Sequence, residues 1–110
     1  MTQIPRTARF AFTSLFQRAY PTYLAKSPKI REKLEEFKHF KEQRPPRPLP
    51  ASFKDHFLKG RLQGFRECHL DEDIILIYTD KSDIVRFIAI CDHDELNQAN
   101  FQKKVRATLE

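Results

Sequence analysis

Hydrophobic positions along the chain change their spacing near the middle, from helical to alternating or continuous. Ala8–Thr13 alternates as a short first strand, and Leu15, Phe16, Tyr20, Tyr23 and Leu24 then recur at helical spacing. Pro21 falls inside that stretch and is expected to kink or restart the helix. Ser27 followed by Pro28 reads as a helix start, an N-cap oxygen before a residue whose missing N–H costs nothing there. From Ile30 an apolar stripe of Ile30, Leu34, Phe37 and Phe40 faces a core, while Lys29, Arg31, Glu32, Glu35 and Lys38 face water. The four prolines of Glu42–Pro50 end this second helix and favour an extended connection, a rigid crossover rather than an SH3-type ligand.

Beyond the crossover the pattern is that of strands. Gly60–Leu70 alternates loosely, Ile74–Thr79 is continuous and β-branched like a strand covered on both faces, and Ile84–Cys91 follows a turn at Asp80–Asp83. Phe101, Val105 and Leu109 lie four apart, so residues 97–110 should form a short C-terminal helical extension. The predicted architecture is α+β, in the order β-α-α-β-β-β: a small, mainly antiparallel sheet with two N-terminal helices on one face. All 110 residues fit one domain.

Composition narrows the function classes. With 40% apolar and 32% charged residues the chain reads as a globular protein. Nothing approaches the roughly 20 apolar residues of a membrane span, and Met1–Phe10 lacks a secretory apolar region, so the expected location is cytoplasmic with no membrane partner. Cys68 and Cys91 are then expected to be reduced. A net charge of +5 and a pI near 9.4 favour a polyanionic partner such as nucleic acid.

The polar residues suggest chemistry once the strands are placed. In an antiparallel meander the start of the Ile74 strand lies beside the end of its hairpin partner, which brings Asp73 next to His93. His69 should be near both, and His56 precedes the sheet. Several imidazoles, a carboxylate and a basic rim suit acid–base chemistry on a phosphodiester, one neutral imidazole accepting a proton while a protonated one donates. In RNA the 2′-hydroxyl is a built-in nucleophile, so no metal or other cofactor is required. Taken singly, each histidine is an ordinary half-buried or surface residue and Asp71–Asp73 an ordinary solvated turn; convergence is what raises them to a site. A metal centre from Cys68, His69, Cys91 and His93 is the weaker reading, because adjacent Cys68 and His69 point to opposite faces and zinc-site spacings are absent.

Three segments carry a resemblance. Leu49–Gly60 contains D-H-x-L-x-G, Gly64–Tyr78 is similar to G-[YF]-R-[DE]-x-H-[ILV]-x-x-D-W-[IL]-L-I-Y, and Val85–Leu96 is similar to R-F-x-R-x-G-[TS]-H-x-x-L-F. In these the chain resembles the YafQ branch of the RelE/ParE toxin superfamily, the mRNA interferases of type II toxin–antitoxin systems. The resemblance implies a RelE-like fold, ribosome-dependent cleavage of translated mRNA by 2′-hydroxyl attack, and a cognate antitoxin as partner alongside mRNA and the ribosomal decoding site. It implies His56, His69, Asp73 and His93 as catalytic residues, with His56 or His69 the base and His93 the acid. Lys54, Lys59, Arg61, Arg66 and Arg86 are the candidate phosphate contacts. The chain departs from the pattern at Ala89 in place of arginine, Ile74 in place of tryptophan and Asn97 in place of an aromatic residue, which leaves a catalytically weakened or inactive relative as the alternative. Arg86 is a poor stand-in for the arginine, because three residues along a strand place it on the opposite face from position 89. Leu15, Phe16, Tyr20 and the proline-rich link are candidate antitoxin-docking surface, with core packing the default for the aromatics.

Overall fold

A computed structural model describes residues 9–43, 45 and 47–109. Strand β1 (Arg9–Phe12) leads into helix α1 (Ser14–Lys26) and helix α2 (Ile30–Glu42). A two-residue strand β2 (His56–Phe57) precedes β3 (Arg66–Asp71), β4 (Ile74–Lys81) and β5 (Ile84–Cys91). A single turn of helix α3 (His93–Leu96) and helix α4 (Ala99–Ala107) complete the chain. The sheet order is β1-β5-β4-β3-β2, antiparallel except that β1 lies parallel to β5. The expected start of the first strand at Ala8, and Arg44 and Pro46 of the crossover, lie outside the described residues. Gln43 (φ −64°, ψ 142°) and Pro50 (φ −56°, ψ 153°) have the extended backbone that the prolines call for.

Strand alternation divides the core in two. Cys68, Leu70, Ile74, Leu76, Tyr78, Val85, Phe87 and Ile90 face α1 and α2, whose Phe16, Tyr23, Ile30, Leu34 and Phe37 fill that side. Ile75, Ile77, Ile88, Ala89 and Cys91 face the other way and are covered by Phe101 and Val105 of α4, with Leu62 and Phe65 beside them. Each fully buried Ile, Leu or Phe contributes about 1.5–3 kcal/mol, and β4 is buried on both faces from Ile74 to Thr79.

Several expectations are corrected. Pro21 does not restart α1, which runs as one helix from Ser14 to Lys26. Ser27 does not cap α2: that helix begins at Ile30 with no side-chain cap, and the Ser27 hydroxyl instead donates to Asp71 Oδ2 at 2.6 Å. Lys29 also reaches Asp71, at 3.2 Å, so this carboxylate ties the α1–α2 turn to the β3–β4 turn. The strand expected from Gly60 begins only at Arg66, because Gly60–Leu62 winds as a 3₁₀ turn with Gly60 at φ +66° and Gly64 at φ +99°. Phe16 is buried and Tyr20 stacks on it at 5.4 Å, so both are committed to packing.

The correction that matters most concerns β5. Ile77 pairs with Ala89 but Tyr78 pairs with Phe87, leaving Ile88 as a bulge residue. Thr13 marks the irregularity, its hydroxyl donating to the Ile88 carbonyl at 2.5 Å while accepting from the Phe16 N–H at 3.1 Å. The bulge resets the alternation, so Arg86 and Ala89 share a face instead of opposing each other. Arg86 still pairs with Thr79 and Ala11, three residues from position 89 and toward the far end of the sheet from His93.

Candidate active site

His69, Asp73 and His93 meet where β3 and β5 approach their ends. Asp92 caps α3 by accepting from the Glu95 N–H at 2.7 Å, which sets His93 as the first residue of that helix. Asp73, in the two-residue β3–β4 turn, accepts from the His93 backbone N–H at 3.1 Å and from its ring Nδ1 at 2.5 Å. These bonds hold the Asp73 carboxyl below the usual carboxylate range, so it is charged at neutral pH and keeps a proton on Nδ1, leaving Nε2 as the working nitrogen. The His69 ring lies edge-on to His93 with centroids 5.3 Å apart. Burial pushes the His69 pKa below its ordinary value, opposed by Glu67 and reinforced by His93, Lys54 and His56. His69 is therefore neutral at pH 7.

His56 joins the same row from β2, where it pairs in register with Glu67. Its Nε2 stands 3.0 Å from Glu67 Oε1 and its Nδ1 2.8 Å from the Lys54 carbonyl. Both ring nitrogens face oxygen acceptors, an arrangement that only the doubly protonated ring satisfies completely. Glu67 is only 6% exposed, and its Oε2 is the one buried side-chain oxygen without a hydrogen-bond partner among the described residues. Glu67 is not among the residues singled out from sequence, although a signal was present: two positions before His69 on one strand, it must share the histidine's face.

A second polar cluster holds this row in place. Asp55 accepts from Arg66 Nη2 at 2.7 Å and from the Tyr78 hydroxyl, and Arg66 Nε reaches Tyr78 at 3.3 Å. The Arg66 guanidinium also lies over the exposed Phe57 ring at 4.1 Å. Burial and Asp55 push the Tyr78 hydroxyl well above its ordinary range, and Asp55 does the same to Arg66. Arg66 is thus spent on fixing the segment that carries His56, with Lys54 held at φ +50° beside it.

Other expected residues divide similarly. Lys54 borders an open depression of about 430 Å³ together with His69, Lys29, Lys33 and Ser52. Lys59 and Arg61 are exposed at the tip of the β2–β3 hairpin, whereas Arg86 is remote. Ile74 is 8% exposed in the α1–α2 core, Ala89 is 0% exposed beneath α4, and the Asn97 side chain donates to the His93 carbonyl at 3.1 Å. Cys68 and Cys91 are free thiols buried on opposite faces of the sheet. Among the described residues no three His, Cys, Asp or Glu side chains are grouped to hold a metal ion, and no helix is long and apolar enough to cross a membrane.

Comparison with known proteins identifies the family of the chain. The model of a family described as a bacterial toxin of type II toxin–antitoxin systems, YafQ, matches residues 8–98. The putative toxin YafQ of Haemophilus influenzae is 36% identical over 52 residues, 44% of this chain and 51% of that protein. The mRNA interferase toxin YafQ of Escherichia coli is 48% identical over 40 residues, 36% of this chain and 44% of that protein. The chain thus spans about half the length of these curated relatives. The solved E. coli DinJ–YafQ toxin–antitoxin complex superposes with a TM-score of 0.67 at 27% identity, covering 84% of this chain and 100% of the matched one.

Proposed function

The chain belongs to the YafQ family of bacterial type II toxin–antitoxin toxins, and from that membership we propose that it is an endoribonuclease cutting translated mRNA on the ribosome by metal-independent acid–base catalysis. The observation that supports the reading is the meeting of His69, His93 and Asp73 at one rim of the sheet, with His56 held one strand away by Glu67.

In this reaction neutral His69 takes the proton of the 2′-hydroxyl as its oxygen attacks the adjacent phosphorus. The bond to the 5′-oxygen breaks, and protonated His93, held by Asp73, supplies the proton that oxygen needs. The products are a 2′,3′-cyclic phosphate, which opens to a 3′-phosphate, and a free 5′-hydroxyl. His56, held by Glu67 and the Lys54 carbonyl, stands on the strand beside His69's face. His69 is favoured over His56 as base because burial keeps it neutral, while both ring nitrogens of His56 already face protein oxygens. Lys54, Lys59 and Arg61 contact phosphates; Arg66 and Arg86 are not in position to do so.

A cytoplasmic location and neutralisation by a cognate antitoxin follow from the same reading. The test is induction of the chain in a bacterial host with new 5′ ends mapped on translated and untranslated copies of one reporter mRNA. Cleavage of the translated copy alone, lost in His93→Ala, is the expected result. Cleavage that persists in His93→Ala overturns the mechanism, and no cleavage with antitoxin binding retained marks an inactive relative.

A further inference from the structure

Helix α4 begins at Ala99, just beyond the last residue matched by the family model. It is nevertheless built into the sheet: Phe101 and Val105 seal Ile77, Ile88 and Ala89. Its one long-range polar anchor is Arg106. The guanidinium donates to the Arg61 carbonyl at 2.6 Å and 3.1 Å and to the Gln63 carbonyl at 2.7 Å, and it lies 5.1 Å from the Phe65 ring centroid.

These two carbonyls are the ones that the hairpin tip cannot satisfy by itself. Gly60 accepts from the Gln63 N–H and Leu62 from the Phe65 N–H, each at 3.1 Å, while Leu58 N–H to the Phe65 carbonyl closes the base at 2.9 Å. Arg106 completes the set, so every carbonyl from Gly60 to Gln63 has a donor. The tip so fixed displays Lys59 and Arg61, whose side chains are exposed and make no hydrogen bond or ion pair among the described residues. They stand three and five residues from His56 on the same hairpin.

We propose that Arg106 is a positioning residue, which locks the β2–β3 tip so that Lys59 and Arg61 form an anchoring subsite for the phosphodiester backbone of single-stranded RNA entering the histidine row. The subsite rests on the nuclease reading for its ligand, but the brace belongs to this chain's own extension. A planar fork is required to reach both carbonyls, and lysine, with the same charge, cannot supply it. The Nε and Nη2 donors of Arg106 are committed to carbonyl oxygens, so the proposed effect on RNA passes through the loop.

The test is binding of the full-length chain to a 2′-O-methylated, uncleavable single-stranded oligoribonucleotide over a range of salt. Arg61→Ala is expected to weaken binding and lower the slope of log K against log salt by about 0.7, one single-strand phosphate contact. Arg106→Gln and Arg106→Lys should both raise Kd severalfold, and Arg106→Gln should add nothing in a chain already carrying Lys59→Ala and Arg61→Ala. Rescue by Arg106→Lys would overturn the proposal by making the charge itself the contact. Unchanged binding in Arg106→Gln, an equal loss in the Lys59→Ala/Arg61→Ala chain, or no binding by the parent would overturn it too. Because the oligonucleotide cannot be cut, these outcomes are separate from loss of mRNA cleavage in His93→Ala, which tests the nuclease reading itself.

Discussion

Two polar clusters draw on β2 and β3, and they differ in how completely they are satisfied. In the Asp55–Arg66–Tyr78 cluster the charged groups have partners and side-chain exposures of only 17% for Asp55 and 24% for Arg66. In the His56–His69–His93 row the rings of His56 and His93 are about half exposed, and among the described residues Nε2 of His93 and Oε2 of Glu67 have no hydrogen-bond partner. A closed network holds backbone in place; an open one has bonding capacity left for a substrate. Sequence motifs mix the two kinds of residue, since Asp55 adjoins His56 and Arg66 adjoins Glu67.

Substitutions can break this contrast. His93→Ala should leave the thermal midpoint nearly unchanged but reduce cleavage by ~10²–10⁴, the usual worth of a general acid, as read from the rate of new 5′-end formation. Ala89→Arg should act on stability: a long charged side chain in a site with 0% exposure under Phe101 and Val105 costs about 3 kcal/mol by overpacking. Denaturant unfolding would show that loss, and gained cleavage in the same variant would show that position 89 opens to the site after all. Asp55→Asn should cost about 2 kcal/mol, below the value for a fully buried broken pair because the cluster is partly exposed. It should also slow cleavage less than His93→Ala.

The smallest effect is in pH dependence. Burial lowers the His69 pKa in the folded chain, so its contribution to stability is complete above the unfolded value of about 6.5 and is lost as pH falls through the lower folded value. His69→Gln should flatten the fall in stability on the acid side. In the parent, the acid limb of the cleavage profile should lie below pH 6.5, and a limb centred above it would remove His69 as the base.

Much of this was legible in the chain. The Ile30–Leu34–Phe37 stripe, the continuous β4 run and the β5 strand over Ile84–Cys91 follow from local periodicity, because one buried face or two leaves a distinct spacing. The meeting of Asp73 and His93 followed from hairpin register alone. Ser27 reads as a cap in sequence, yet its hydroxyl is taken by Asp71, 44 positions away, and no local rule contains that competition. Pro21 reads as a break, yet α1 continues through it, held against the sheet by Phe16 before and Tyr23 after.

The sequence by itself determined the long helices, the β4 and β5 strands, the α+β class and the identity of the histidines and acids, because spacing and residue chemistry are properties of neighbouring positions. Only the tertiary structure decided which polar groups are satisfied and which are left open. The Ile88 bulge turns Arg86 to the face of Ala89, the approach of β2 to β3 joins His56 to Glu67, and the packing of α4 carries Arg106 to carbonyls more than 40 residues away. Each depends on register and packing between distant segments, where one extra residue in a strand reverses a face and one filled surface leaves no room for another side chain.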